Sequence, residues 1–137
     1  MFGGNDKRAA NVTTLIGRET SLVGDLAFSG GLHIDGKVSG NVVATTDPKA
    51  FVRVSEHGEI DGEIRVPHVV VDGTVSGDVY ASERLELAPH ARVSGNVFYS
   101  TLEMSAGAEV NGKLVHQPGG PKLLELHPPV NENSPAV

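Results

Sequence analysis

The sequence predicts an all-β protein, a parallel β-helix whose short strands coil about six times around one apolar interior. Two observations carry this. The unit apolar-x-Gly-polar-apolar recurs as Leu22-Val23-Gly24-Asp25-Leu26, Val38-Ser39-Gly40-Asn41-Val42, Ile60-Asp61-Gly62-Glu63-Ile64, Val75-Ser76-Gly77-Asp78-Val79, Val93-Ser94-Gly95-Asn96-Val97 and Val110-Asn111-Gly112-Lys113-Leu114, its glycines 16, 22, 15, 18 and 17 residues apart. Within each unit apolar residues alternate with period two, the mark of a strand with one buried face, and no segment carries a sustained apolar stripe at helical spacing. Composition agrees: 137 residues are one domain of ordinary size, and 17 glycines with only 4% aromatic residues favour strands and tight turns over a core of large rings.

Along the chain, residues 1–12 are mostly polar, with Met1, Phe2, a pair of alanines and Val12 as the exceptions, and read as a flexible leader. Residues 13–116 hold the array. Its later units carry an apolar-x-apolar pair, Val52-Arg53-Val54, Leu85-Glu86-Leu87 and Leu102-Glu103-Met104, eight residues ahead of Ile60, Val93 and Val110. Residues 117–137 contain five of the eight prolines and read as a disordered tail. Inside it, Lys122-Leu-Leu-Glu-Leu-His127 is an apolar island, either a docking segment for a partner or a piece folded back on the last coil.

The repeat length chooses among the architectures. A propeller blade needs about 40 residues. A hairpin meander needs Asn-Gly or Asp-Gly between full strands, whereas Asp35-Gly36, Asp61-Gly62, Asp72-Gly73 and Asn111-Gly112 sit inside apolar runs. One coil of 17–18 residues, three short strands joined by glycine-relieved bends, fits, and six coils stacked about 4.8 Å apart make a rod roughly 3 nm long. The left-handed helix of hexapeptide acyltransferases is the alternative. It wants an aliphatic residue at every sixth position, but from Val93 the sixes give Tyr99, Ser105 and Asn111. Spacing by four does better, as in Ile34, Val38, Val42 and Val71, Val75, Val79, so the right-handed coil is favoured.

Charge and composition exclude several functions. The net charge of −6 offers no basic field for nucleic acid. Without cysteine there is no disulfide framework, thiolate zinc site or cysteine nucleophile, which fits a reducing compartment. No run has the length of a secretory signal or a membrane span, so a cytoplasmic protein is expected and the Asn11-Val12-Thr13 sequon reads as chance.

Four motifs resemble chemistry without completing it. Gly31 to Lys37 and Gly107 to Lys113 match the first seven positions of a phosphate loop, but Val38 and Leu114 stand where the magnesium-binding hydroxyl belongs. Of the histidines at 33, 57, 68, 90, 116 and 127, His57 and His90 are the candidates for a base under the acyltransferase alternative, and outer-face histidines are the favoured reading. Asp25, Asp35, Asp61, Asp72 and Asp78 lack the dense nonapeptide of calcium repeats and read as turn residues bonding their own backbone. Met1 and Phe2 with Lys7 and Arg8 form a weak membrane-targeting signal that many copies on a polymer would amplify. No catalytic, cofactor or metal residue is therefore assigned.

The "V-S-G-[ND]-V" rungs, the "TLIG" start, the run Leu32-His-Ile-Asp-Gly-Lys-Val-Ser-Gly-Asn-Val42, the Met-Phe opening and the proline-bearing tail resemble the bactofilins, bacterial polymer-forming cytoskeletal proteins, over residues 13 to 116. The resemblance implies a right-handed β-helix that polymerises end to end without nucleotide. It also implies a scaffold at the inner face of the cell membrane, reached through the leader, that positions cell-wall enzymes or polarity and segregation proteins in cell morphogenesis. A monomeric binding module with working tails is the other alternative. Physically, a β-helix without caps exposes unpaired backbone and core cross-section at each end, which templates another copy. Val110 and Leu114 in the last coil are the expected polymer contacts.

Overall fold

The computed structural model describes residues 14–44 and 46–117, in which every element is a strand and none a helix. Coil 1 comprises β1 (Thr14–Ile16), β2 (Ser21–Val23) and β3 (Leu26–Ala27). Coil 2 comprises β4 (Gly31–Ile34), β5 (Lys37–Ser39) and β6 (Val42–Val43), and coil 3 β7 (Phe51–Val54), β8 (Glu59–Asp61) and β9 (Ile64–Arg65). Coil 4 comprises β10 (His68–Val71), β11 (Thr74–Ser76) and the start of β12 (Val79–Leu87), which runs on into coil 5. Coil 5 adds β13 (Arg92–Ser94) and the start of β14 (Val97–Met104), and coil 6 closes with β15 (Glu109–Asn111) and β16 (Leu114–His116). All pairing is parallel, between equivalent strands of successive coils, so the chain is a parallel solenoid of six turns with three faces.

Stacking converts the sequence period into columns. On the first face Leu32, Val52, Val69, Leu85 and Leu102 lie one above another, with Ile34, Val54, Val71, Leu87 and Met104 beside them. The second face stacks Leu22, Val38, Ile60, Val75, Val93 and Val110, and the third Leu26, Val42, Ile64, Val79, Val97 and Leu114. These columns point inward and meet on the axis. Among the described residues no polar or charged side chain is buried. Each fully buried Val, Leu or Ile contributes about 1.5–3 kcal/mol, so this dry interior is the main source of stability.

Corners differ in construction. The first-to-second corner takes two residues at Asp35-Gly36 and Asp72-Gly73 but four at residues 55–58, 88–91 and 105–108. A four-residue corner at 17–20 in coil 1 belongs with the latter, so the eight-residue interval between first and second faces fails only in coils 2 and 4. The third-to-first corner is nearly absent in the later coils, where β12 turns it through a bulge between Ala81 and Arg84, with Glu83 and Arg84 both donating to the Pro67 carbonyl at 2.9 and 3.0 Å. The 22-residue step arises from the longer segment 44–50 in coil 2, together with a four-residue corner in coil 3. Asp47 pins that segment. Its carboxylate accepts from the Gly30 N–H at 2.8 Å and the Lys49 N–H at 3.0 Å, and these bonds, Gly30 first, hold its pKa below the ordinary value.

At the second-to-third corner the repeated glycines stack from Gly24 to Gly112, all with φ between 122° and 154°. A Cβ on any but the first would overlap the carbonyl oxygen of the glycine one coil earlier, so the coils close to their spacing only because no side chain intervenes. At four of these corners the residue after the glycine does not bond its own backbone, as expected for a turn, but reaches the next coil. Oδ1 of Asp25, Asn41, Asp78 and Asn96 accepts from the N–H of Asn41, Glu63, Asn96 and Lys113 at 2.9–3.2 Å. Stacking sets each Oδ1 against an amide that its own coil leaves free, so the acceptor goes along the axis rather than around the turn. Glu63 interrupts this ladder and pairs with Arg65 instead at 2.6 Å.

Two substitutions separate backbone strain from the coil-to-coil clash. Gly24→Ala, with nothing within 4 Å of the added carbon, should cost about 1–2 kcal/mol from φ alone. Gly77→Ala adds overlap with immovable backbone of Gly62, and should cost at least about 3 kcal/mol. Urea unfolding measures both, and equal costs would mean that the glycine column does not clamp the coils.

Candidate functional site

The two ends of the solenoid are where the columns stop. At the C-terminal end Met104 and Leu114 are 43% and 42% exposed, whereas Leu87 and Val97 directly beneath them in the same columns are 0% exposed. Leu102 and Val110 are partly buried against the core. Of the two residues expected as polymer contacts, Leu114 thus lies open and Val110 half covered. Leu102 and Met104 share the end with them and were not singled out from the sequence, although they terminate the apolar-x-apolar column of the first face. At the N-terminal end Leu22 and Leu26 are partly buried, while Val38 and Val42 one coil in are fully buried.

Backbone groups run out at the same places. The carbonyls of Ile16, Ile34, Val54, Val71 and Leu87 accept from the N–H of Asp35, Ser55, Asp72, Ala88 and Ser105 at 2.7–2.9 Å. The Met104 carbonyl is next in that column and meets no such donor among the described residues. Likewise Gly24, Gly40, Gly62, Gly77 and Gly95 each donate to the following coil at 2.9–3.0 Å, and Gly112 has no following coil among the described residues. Among the described residues the C-terminal end therefore offers an apolar cross-section with the Met104 carbonyl and the Gly112 N–H unmatched, which another edge of the same geometry can satisfy.

The remaining candidates scatter over the outside. His57 and His90 stand on the first-to-second corner ridge, both exposed; His57 bonds the Arg18 guanidinium at 2.7 Å and His90 bonds Asp72 at 3.2 Å. His33 and His68 are half-exposed, and His116 takes the register position above Tyr99 at the open end, with ring centroids 5.6 Å apart. Among the described residues no group of three or more His, Asp or Glu side chains is arranged to hold a metal ion. Lys37 and Lys113, from the phosphate-loop lookalikes, belong to rungs: Lys37 is in β5 beside Glu59 of β8, and Lys113 is the last member of the Asx ladder. Asp35 accepts from the Ser55 hydroxyl. Met1, Phe2, Lys7, Arg8 and the island from Lys122 to His127 lie outside the described residues.

The third face carries aromatic side chains outward. Tyr80 and Phe98 stack with centroids 4.7 Å apart and planes 3° from parallel, and the Arg65 guanidinium lies 5.1 Å from the Tyr80 ring centroid. Burial against these neighbours, then the charges of Glu63 and Asp78, push the Tyr80 pKa up.

Comparison with known proteins adds a family. The Bactofilin model, described as polymer-forming cytoskeletal, matches residues 14–115. Bactofilin BacO of Myxococcus xanthus (strain DK1622) is 26% identical over 105 residues, covering 71% of this chain and 83% of that protein. No solved structure gives a significant match.

The raised Tyr80 pKa has a measurable sign. The native state favours the neutral phenol, so its contribution to stability is fully present below the unfolded value of about 10 and is lost as pH rises through the native value. In an ultraviolet alkaline titration the component that Tyr80→Phe removes should ionise above the ordinary tyrosine value of about 10. A removed component that ionises at or below that value would contradict the assignment.

Proposed function

The chain belongs to the bactofilins, a polymer-forming cytoskeletal family, and from that premise we propose that it assembles end to end, without nucleotide, into filaments. In this reading the filaments lie in the cytoplasm against the inner face of the membrane and act as a scaffold for cell-wall or polarity proteins that set cell shape. The observation that carries the assembly is the pair of open ends. At the C-terminal end each inward column stops on an apolar residue, Leu102, Met104, Val110 or Leu114, whose twin one coil inside is buried. Stacking a second copy there would extend every column by one rung, bury Met104 and Leu114, and pair the backbone edge. No small molecule enters this account: the drive is apolar burial plus strand pairing.

The leader supplies the membrane half of the reading. One large apolar residue, Phe2, with Lys7 and Arg8 gives marginal affinity for an anionic surface, and a filament that presents many leaders multiplies it. Client proteins are assigned to the segments outside the array.

Electron microscopy of the purified protein, with and without ATP or GTP, tests the assembly directly, and filaments are expected in both. Val110→Arg should stay folded by circular dichroism, because the side chain can reach past the open end to water. It should not sediment as polymer, because a charge at a junction that must become dry costs several kcal/mol. Val75→Arg, in mid-stack with coils on both sides, should unfold the domain. A folded Val110→Arg protein that still forms filaments would remove the C-terminal coil from the contact.

For the membrane, wild-type filaments should float with anionic liposomes at low salt. Deleting residues 1–8 should abolish flotation and leave filaments intact. Wild-type filaments that stay at the bottom of the gradient would dismiss the leader's role.

A further inference from the structure

The outward side of the first face carries charge in a definite order. Leu15, His33, Arg53, Val70, Glu86 and Glu103 stack in register between the two inward columns, one in each coil, and all are at least partly exposed. The basic residues fall in coils 2 and 3 and the acids in coils 5 and 6, with Val70 between them. Within one chain this order is unfavourable. It sets Glu86 directly beside Glu103, and a protonated His33 beside Arg53, at the coil spacing of about 4.8 Å, where like charges on neighbouring strands repel. Arg84 relieves one end by pairing with Glu103, while Arg53 and Glu86 have no hydrogen bond or ion pair among the described residues.

A second copy laid face to face and antiparallel removes the conflict. A two-fold axis along the strand direction at coil 4 brings coil 2 opposite coil 6 and coil 3 opposite coil 5. His33 then meets Glu103, Arg53 meets Glu86, and Val70 meets its own copy. The flanking outward column agrees, since Phe51 in coil 3 comes opposite Arg84 in coil 5, a cation over an aromatic ring. A slip of one coil either way leaves one kind of opposite-charge pair instead of two. Parallel copies with this column on itself would put Arg53 on Arg53 and Glu86 on Glu86; shifted onto the flanking column they would keep a single kind, Arg84 against Glu86.

We propose that the first face is a lateral interface between two antiparallel copies of this chain, its register set by Arg53 with Glu86 and His33 with Glu103. One face measures about 13 Å along its four-residue strands and about 29 Å over six coils, less than a stable interface between single rods needs. The contact is therefore weak between monomers and adds up along stacked rods. That summation rests on the end-to-end reading above; the pairing itself does not.

Disulfide trapping on the full-length chain tests it. The chain has no cysteine, so Val70→Cys places a single thiol at the two-fold axis. With diamide as oxidant this variant should form linked dimers at least about tenfold faster than Ser76→Cys, whose site is exposed in the same coil on the second face. Copies stacked end to end hold equivalent positions about 29 Å apart, beyond disulfide reach. Adding Arg53→Glu or Glu86→Arg to Val70→Cys should slow linking to the control rate. Mixing those two double variants should restore it, since each then meets the other's opposite charge. Equal rates for Val70→Cys and Ser76→Cys would overturn the lateral interface. A fast rate that Arg53→Glu leaves unchanged, or a mixture that stays slow, would overturn the antiparallel register. Fast linking by a chain that forms no filaments would leave the pairing standing and dismiss the end-to-end reading.

Discussion

The contact on which the rest depends is backbone against backbone at the glycine corner. From Gly40 to Gly112 each glycine lies so close to the carbonyl of the glycine one coil earlier that a methyl group would not fit. This fixes where each coil bends. Because strands are short and their side chains alternate, fixing the bend fixes the register on the flanking faces, and with it which residues enter the interior. The second- and third-face columns begin two residues on either side of that glycine. The Asx side chains that follow the glycines then tie the same corner along the axis, each bond to a neighbouring coil contributing about 1 kcal/mol.

A solenoid held this way has no chemical difference between middle and end. Val97 and Leu114 are in one column and face one direction, yet Val97 is buried and Leu114 is not. What separates them is a coil on top. The open ends are therefore a consequence of the repeat itself, and any edge with the same spacing serves to close them. Among the described residues, the exposed end of the last coil is the feature that most sets it apart from the coils beneath. The Asx ladder also ends there, since Lys113 has no acceptor to offer the next coil.

The outer surface is less uniform than the interior. Corner residues such as Glu56, Asp72 and His90 form exposed polar contacts worth little individually. The third face instead carries the stacked Tyr80 and Phe98 beside Arg65. These rings lie one coil apart because equal positions stack, so an aromatic pair on the outside comes from the same register that packs valines on the inside.

Fold class, strand content, coil number and the inward positions were legible in the sequence, because a two-residue alternation and a recurring glycine are local signals that survive without knowledge of neighbours. Of the two residues expected as polymer contacts, Leu114 is exposed and Val110 partly buried, a difference that the repeat pattern does not contain. The sequence could not reveal that Asp25, Asn41, Asp78 and Asn96 bond the coil above rather than their own turn, since the donor is 16 to 22 residues away. Nor could it single out Leu102 and Met104, whose exposure depends on which face the chain covers last. Stacking alone decided these, because only the axial neighbour determines whether a given amide has a partner and whether a given leucine is dry.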